Sequence, residues 1–406
     1  MKPPMKLVDV AILFVACLVA LGVSEIALRL LIPDTEQYHV HRPGSSAGFL
    51  PDTSIIHGVR GPSVFRINDQ GVRGRLLDPQ AEEYRILTIG GSTTELLLMD
   101  EPRTWPAMVE QSLLETGAEG RRAWIGNVGK SGANARDHVL HTRYLLEQIP
   151  QIDAVIVLVG VNDLTLALAE SETYIRLPSL DDPEAKAAQL ERAFSVRPGS
   201  ISQPTYSGSH PWFKRTALYQ VASRARVIIR GRLAASGAVQ DRVGESVARW
   251  RSHRSAAQGR LTELPDLGPA LGRYRAYLES ITDEAQAHGV RLIFMTQPAL
   301  WREDLSQEEE GLLWMGGDSP NFMEGPGARY YTAEALFAAM GAFNQVTLEL
   351  CESRGVECID LAARLPRTTE VFYDDVHFTD EGSRAVAEIV TGHLQANPPF
   401  GDAGKP

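Results

Sequence analysis

Cysteine is scarce in this chain, with three in 406 residues. That excludes a disulfide-dense secreted scaffold and a thiolate-built zinc site. No His-Glu-x-x-His and no complete Gly-x-x-x-x-Gly-Lys-Ser/Thr occurs, so the usual metalloprotease helix and phosphate-binding loop are absent. Gly129-Lys130-Ser131 is only a fragment of the latter. His138 and His141 are spaced i,i+3 on a predicted helix without a third ligand in view. The sequence therefore calls for no metal and no cofactor. Excess positive charge is also missing. The net charge of −11 argues against general nucleic-acid binding. Neither an internal repeat nor a long low-complexity tract is present.

The N-terminus is where long apolar sequence is concentrated. Lys2 and Lys6 precede an apolar stretch from Val10 to Val23, which resumes after Ser24 and Glu25 and stops before Pro33. About 20 residues suffice to span a bilayer. Leu7 to Ile32 is long enough, with Glu25 and Arg29 as i,i+4 partners near a membrane surface. Basic residues ahead of the segment orient it with a cytoplasmic N-terminus. A cleaved signal peptide is the alternative, but no small-x-small cleavage site stands out. Residues 1–33 are thus read as an inner-membrane, single-pass anchor, placing the remainder on the periplasmic or extracellular side. In that oxidising space Cys351 and Cys358 form either one disulfide or two buried thiols. Cys17 belongs to the apolar segment.

The best candidate nucleophile is Ser92. It ends the run Ile86-Leu87-Thr88-Ile89-Gly90-Gly91-Ser92, which reads as a buried strand opening into a tight turn, with residues 95–114 largely helical beyond it. A serine nucleophile needs a base, and the base needs an orienting group. Asp374-Asp375-Val376-His377 supplies both, because an Asp three residues before a His can hold one ring nitrogen while the other faces the serine. Two glycine-bearing segments follow apolar strands and offer oxyanion donors. They are Asn127-Val128-Gly129-Lys130-Ser131-Gly132, with the Gly132 N–H, and Gly160-Val161-Asn162-Asp163, with the Asn162 amide. One preorganised donor is worth ~2.7–4 kcal/mol in the transition state.

Four blocks in this order resemble the SGNH/GDSL hydrolase superfamily. The resemblance covers roughly Tyr84 to Leu394 around a large insertion. It implies Ser92 as nucleophile, His377 as general base and Asp374 as orienter. The Ser92 and Gly132 N–H groups and Asn162 form the implied oxyanion hole. Asp375 is a rival to Asp374 through the Asp-x-His spacing of a related branch. Two positions depart from the family pattern: Gly91 stands where Asp is frequent, and Thr93 where Leu is frequent. Gly317-Asp318-Ser319 spells the family's namesake more closely, but follows no strand and comes too late in the chain.

Alternating strands and helices from residue 84 to 396 predict a parallel sheet with helices on both faces. The expected fold is a three-layer α/β/α flavodoxin-like domain with a helical insertion at about 165–270. A loop-rich lead-in (34–83) precedes it, and a disordered tail (397–406) follows. Lys214 to Arg254 carries a charge of +8, leaving −19 elsewhere. Leu218, Val221, Ala225, Ile228 and Ile229 approximate one apolar helix face, with Arg224, Arg226 and Arg230 between them. The simplest reading is an amphipathic helix packed on the domain with solvated arginines. A cap over the site, an anionic-lipid contact and a grip on an acidic glycan are the functional alternatives.

The expected activity is that of a serine esterase removing acetyl or other small acyl groups from a carbohydrate or lipid ester, with O-acetylated polysaccharide as a candidate partner. The alternatives are a polysaccharide O-acetyltransferase using the same Ser-His-Asp site, and a non-catalytic glycan-binding or assembly protein.

Overall fold

A computed structural model describes residues 7–31, 36–116, 122–149, 151–198, 213, 216–235, 243–257, 259–325 and 327–400. Five strands form one parallel sheet: β1 (Glu83–Gly90), β2 (Arg122–Asn127), β3 (Ala154–Leu158), β4 (Arg291–Met295) and β5 (Glu357–Ile359). Their spatial order is β2-β1-β3-β4-β5. In β1, Ile86 pairs with Ile125 of β2 on one side and with Ala154 of β3 on the other. Every residue of β3 is buried, as expected for a central strand covered on both faces. Helices 105–116 and 380–396 pack together as one layer, while 135–148, 268–287 and 333–354 pack as the other. The three-layer α/β/α expectation therefore holds. Strand order reverses between β1 and β3, which opens a crevice at their carboxyl ends.

Local chemistry sets the element boundaries. Asn134 and Asp137 form a reciprocal capping box that starts the helix Ala135–Gln148. Thr332 caps the helix Ala333–Arg354, and Gly355 in the left-handed region ends it. A disulfide joins Cys351 on that helix to Cys358 on β5, resolving the alternative left open by the sequence.

Other expectations need correction. Residues 95–114 are helical only in part, with the long helix lying close to the span 104–115 that the sequence pattern favours. The helix after β1 is the single turn Ser92–Glu95, stopped by Leu96 at φ 52°, and the long helix begins only at Trp105. The intervening residues Leu96, Leu98 and Met99 are buried instead. The start of the tail is packed as well: Phe400 is buried, with its ring 5.2 Å from Tyr84. Residues 401–406 lie outside the described residues. The insertion is helical as expected, with helices at 161–169, 171–175, 183–193, 217–235 and 243–255. Ala225 and Ile229 of its apolar face are nonetheless exposed. Two arginines of the basic run are interior. Arg254 is buried, donating to the carbonyls of Met315 and Tyr331, and half-buried Arg251 donates to those of Leu312, Ile55 and Tyr373.

Near the N-terminus, Leu7–Leu31 forms one apolar helix long enough to cross a membrane, which is also the character of a signal sequence. Its Glu25 pairs with Arg29 at 2.7 Å and accepts hydrogen bonds from the backbone N–H groups of Ala217 and Leu218. Those contacts attach the apolar helix to the first turn of the insertion helix Ala217–Ala235.

Candidate active site

All four predicted blocks meet at the carboxyl edge of the sheet. β1 delivers Ser92, the loop after β2 delivers Gly132, β3 delivers Asn162, and the segment beyond β5 delivers Asp374 and His377. All five line one cavity of about 460 Å³. The Ser92 hydroxyl lies 2.7 Å from His377 Nε2. His377 Nδ1 lies 2.8 and 2.9 Å from the two carboxylate oxygens of Asp374. A carboxylate only accepts, so Nδ1–H donates to Asp374 and Nε2 is left to receive the serine proton.

Asp374 is held from several directions. Its Oδ1 accepts the backbone N–H groups of Val376 and His377, and its Oδ2 accepts the indole N–H of Trp314 at 2.9 Å. Burial alone raises a carboxyl pKa. Here the charge and hydrogen bond of His377, the Trp314 donor and the backbone donor outweigh it and bring Asp374 down to about 2. The imidazole responds in the opposite sense. Burial pulls His377 down, but Asp374, with Asp375 and Glu95 farther off, overcomes this and raises it above its ordinary value.

The rivalry between the two aspartates is decided by direction. Asp375 faces away from the imidazole. It accepts the Trp301 indole N–H at 2.9 Å and the backbone N–H groups of Trp314 and Met315 at 2.8 and 3.2 Å. Burial, then the neighbouring charge of Asp374, pushes its pKa up to about 6. Asp375 thus anchors the loop that brings Trp314 to Asp374.

The donor side is equally constrained. Gly132 sits at φ +76°, a conformation that glycine adopts without penalty. Asn162 Nδ2 donates to the Ala133 carbonyl at 2.7 Å, which leaves its second N–H for the cavity. A Cβ on Gly91 would lie 2.6 Å from that same nitrogen, so this glycine is what lets Asn162 approach the serine turn. Asp163, next in sequence, accepts from the Ala135 N–H at 3.0 Å and from the Tyr174 hydroxyl at 2.8 Å, coupling the Asn162 turn to the helix behind Gly132.

Several supporting residues were not picked out in the sequence. Glu95, three residues after Ser92, accepts the Ser131 backbone N–H at 2.9 Å and also the Ser131 hydroxyl. It thereby fastens the nucleophile turn to the Gly132 loop, a support that Gly91 cannot give. Buried Arg73 from the lead-in donates to the carbonyls of Glu95, Leu96 and Met99. Asn127 donates to the Thr94 carbonyl and accepts from the Gly129 N–H. Arg192 of the insertion donates to the Gly132 carbonyl. The spacing Ser92-x-x-Glu95 was the one local signal available.

His138 and His141 are fully buried beside one another. Burial lowers both, His141 to about 4, and His141 is also held by the Ala193 carbonyl at 3.0 Å. Among the described residues no group of three potential ligands surrounds a common point. Ser319, in the Gly-Asp-Ser decoy, lies outside the cavity. Its neighbour Asp318 pairs with Arg329 at 2.8 Å.

Residues 54–385 match the GDSL-like Lipase/Acylhydrolase family. No curated protein matches the chain in sequence. Among solved structures, the acetylxylan esterase Axe2 from Geobacillus stearothermophilus aligns at 14% identity with a TM-score of 0.37, over 76% of this chain and 92% of that one. A lipolytic G-D-S-L family protein from Veillonella parvula aligns at 10% identity and TM-score 0.39, over 77% and 100% of the respective chains. The acetyl xylan esterase AlAXEase aligns at 13% identity and TM-score 0.38, over 76% and 99%. Likeness at this level carries no inference about substrate.

Proposed function

The chain belongs to the GDSL-like Lipase/Acylhydrolase family and is an ester-bond hydrolase, and from that premise we propose a serine esterase in which Ser92, His377 and Asp374 perform the chemistry. The observation that carries this reading is the Ser92–His377–Asp374 hydrogen-bond chain, with separations of 2.7 and 2.8 Å. His377 Nε2 takes the hydroxyl proton as Ser92 Oγ attacks the acyl carbon. The carbonyl oxygen becomes an oxyanion facing the N–H groups of Ser92 and Gly132 and the Asn162 amide. The tetrahedral intermediate collapses, the alcohol leaves with the proton from His377, and Ser92 carries the acyl group. Water then gives a proton to His377 and attacks the acyl carbon. The acid departs and Ser92 recovers its proton. Asp374 stabilises the imidazolium in both halves.

The substrate is an acyl ester of a carbohydrate or lipid, met outside the cytoplasm. The apolar helix 7–31 supports attachment of the domain to the inner membrane, with Lys2 and Lys6 on the cytoplasmic side. The Cys351–Cys358 disulfide supports an oxidising compartment.

The test is a serine-reactive fluorophosphonate probe and p-nitrophenyl acetate, applied to the full chain in detergent beside Ser92→Ala and His377→Ala. Labelling and acetate release in the wild type, both lost in the variants, are the expected result. Folded wild-type protein with neither labelling nor release would overturn the reading.

A further inference from the structure

The cavity at Ser92 is far larger and more apolar than an acetyl group requires. Its roof is the insertion helix Val243–Ser255, which presents Val243, Val247 and Trp250 at i, i+4 and i+7, a single helical face. Trp250 packs on Trp314 with ring centroids 4.7 Å apart, and Trp314 stacks on Phe322 at 6.5 Å. Leu96, Leu98 and Met99, from the turn that follows the nucleophile, add further apolar lining. The lining is predominantly apolar, and the hydrogen-bonded group Ser92, His377 and Asp374 opens into it beside Gly132 and Asn162, with Thr165 and Tyr373 as further polar lining residues.

The geometry points to an unbranched acyl chain of medium length, roughly six to ten carbons, as the occupant of this cavity during hydrolysis. The inference rests on the esterase reading and extends it to the acyl group. Roughly 30 Å³ accommodates one water-sized group. A volume of about 460 Å³ therefore holds an ester head and a chain of that length, whereas an acetyl methyl would leave most of it empty. The acyl side is favoured over the alcohol side by the chemistry. The acyl group stays bound to Ser92 through both half-reactions, while the alcohol must depart to water. A sugar hydroxyl would also bring no apolar chain to face Val247, Trp250 and Met323. The helix that supplies the roof is tied to the site by Arg251, which donates to the Tyr373 carbonyl next to Asp374. The insertion thus acts as a specificity element for the acyl chain.

The test compares kcat/KM of the full chain in detergent for p-nitrophenyl acetate, butyrate, hexanoate and octanoate. Each buried methylene, at ~0.8 kcal/mol, corresponds to about a three- to fourfold gain. Hexanoate should exceed acetate by at least about tenfold. Val247→Trp, which fills the roof, should lower the octanoate-to-acetate ratio at least about tenfold. Val243→Trp, on the same face and half-buried, carries the same expectation if Val247→Trp fails to fold. Methyl hexanoate should be preferred to hexyl acetate. Acetate release and fluorophosphonate labelling with a flat or falling chain-length profile would overturn the acyl pocket and leave the esterase reading standing. A preference for hexyl acetate would overturn it in favour of an apolar alcohol. Absence of labelling and of turnover on every ester would overturn both readings.

Discussion

The cavity has two walls of different origin. The polar wall consists of short turns at the ends of parallel strands, where Ser92, Gly132 and Asn162 each follow a strand by a few residues. The apolar wall is assembled from elements with no regular place in such a sheet: the helix 243–255 within the insertion, and the loop carrying Trp314 and Phe322. The first wall carries the proposed ester chemistry. The second is where the proposed selection among esters would lie. Strand ends are rigidly spaced by the sheet, so they suit groups that must be held at hydrogen-bond distance. The helix 243–255 is not part of the sheet and reaches the site through side chains, with Arg251 donating to the Tyr373 carbonyl beside Asp374.

Substitutions separate the two walls, because polar-wall changes should depress every ester together and apolar-wall changes should alter ratios among esters. Ser92→Ala heads the polar wall. Its kcat should fall by about 10⁶-fold for all chain lengths, with an unchanged thermal melt. Asp374→Asn follows at about 10⁴-fold, because the amide cannot hold the productive tautomer. It should also move the pH profile. The base works only when neutral, so wild-type kcat/KM should rise with pH through a midpoint above the ordinary histidine value, since the pKa of His377 is raised. Without the Asp374 charge, burial is opposed only by the weaker pull of Asp375 and Glu95, and the midpoint should fall. Asn162→Ala should cost about 10²–10³-fold in kcat, with little change in KM. An unaltered kcat would remove Asn162 from the oxyanion hole.

Trp314 belongs to both walls, which makes Trp314→Phe the sharpest probe of the distinction. The ring is kept, but the N–H to Asp374 is lost. A hydrogen bond to a charged group is worth about 1.5–3 kcal/mol. A fall of about tenfold or more, equal across chain lengths, is expected; a change confined to long esters would assign Trp314 to the apolar wall alone. The smallest effect on turnover should come from replacing Cys351 and Cys358 with serine. Their disulfide closes a short loop away from either wall, and thermal or urea unfolding should report a loss of about 2 kcal/mol with kcat retained.

Legibility in the sequence followed the range of the interactions involved. The start of the helix Ala135–Gln148 is written locally, in a capping box between Asn134 and Asp137. β1 and Ser92 were readable because a buried strand leaves an apolar run and its end is marked by glycines. The reading of residues 95–114 as largely helical was too broad, because Leu96 to Met99 are apolar residues that line the cavity and belong to no helix face. Arg251 and Arg254 were visible only as members of a basic run. Their partners are carbonyls at residues 55, 312, 315, 331 and 373, which nothing in the local sequence announces. Asp375 was visible only as a rival orienter, since its donors Trp301 and Trp314 lie 74 and 61 residues away.

By itself the sequence determined the alternation of strands and helices, the order of the four blocks and the candidate nucleophile, base and donors. These depend on periodicity, capping and turn chemistry, all written within a few residues of where they act. Only the tertiary structure decided that Asp374 rather than Asp375 faces His377. It also decided that Glu95 and Arg73 brace the serine turn, and that an insertion helix roofs an apolar cavity. Those outcomes depend on which distant groups share a small volume. Sequence spacing does not encode that distance; the register of the sheet and the packing of its layers do.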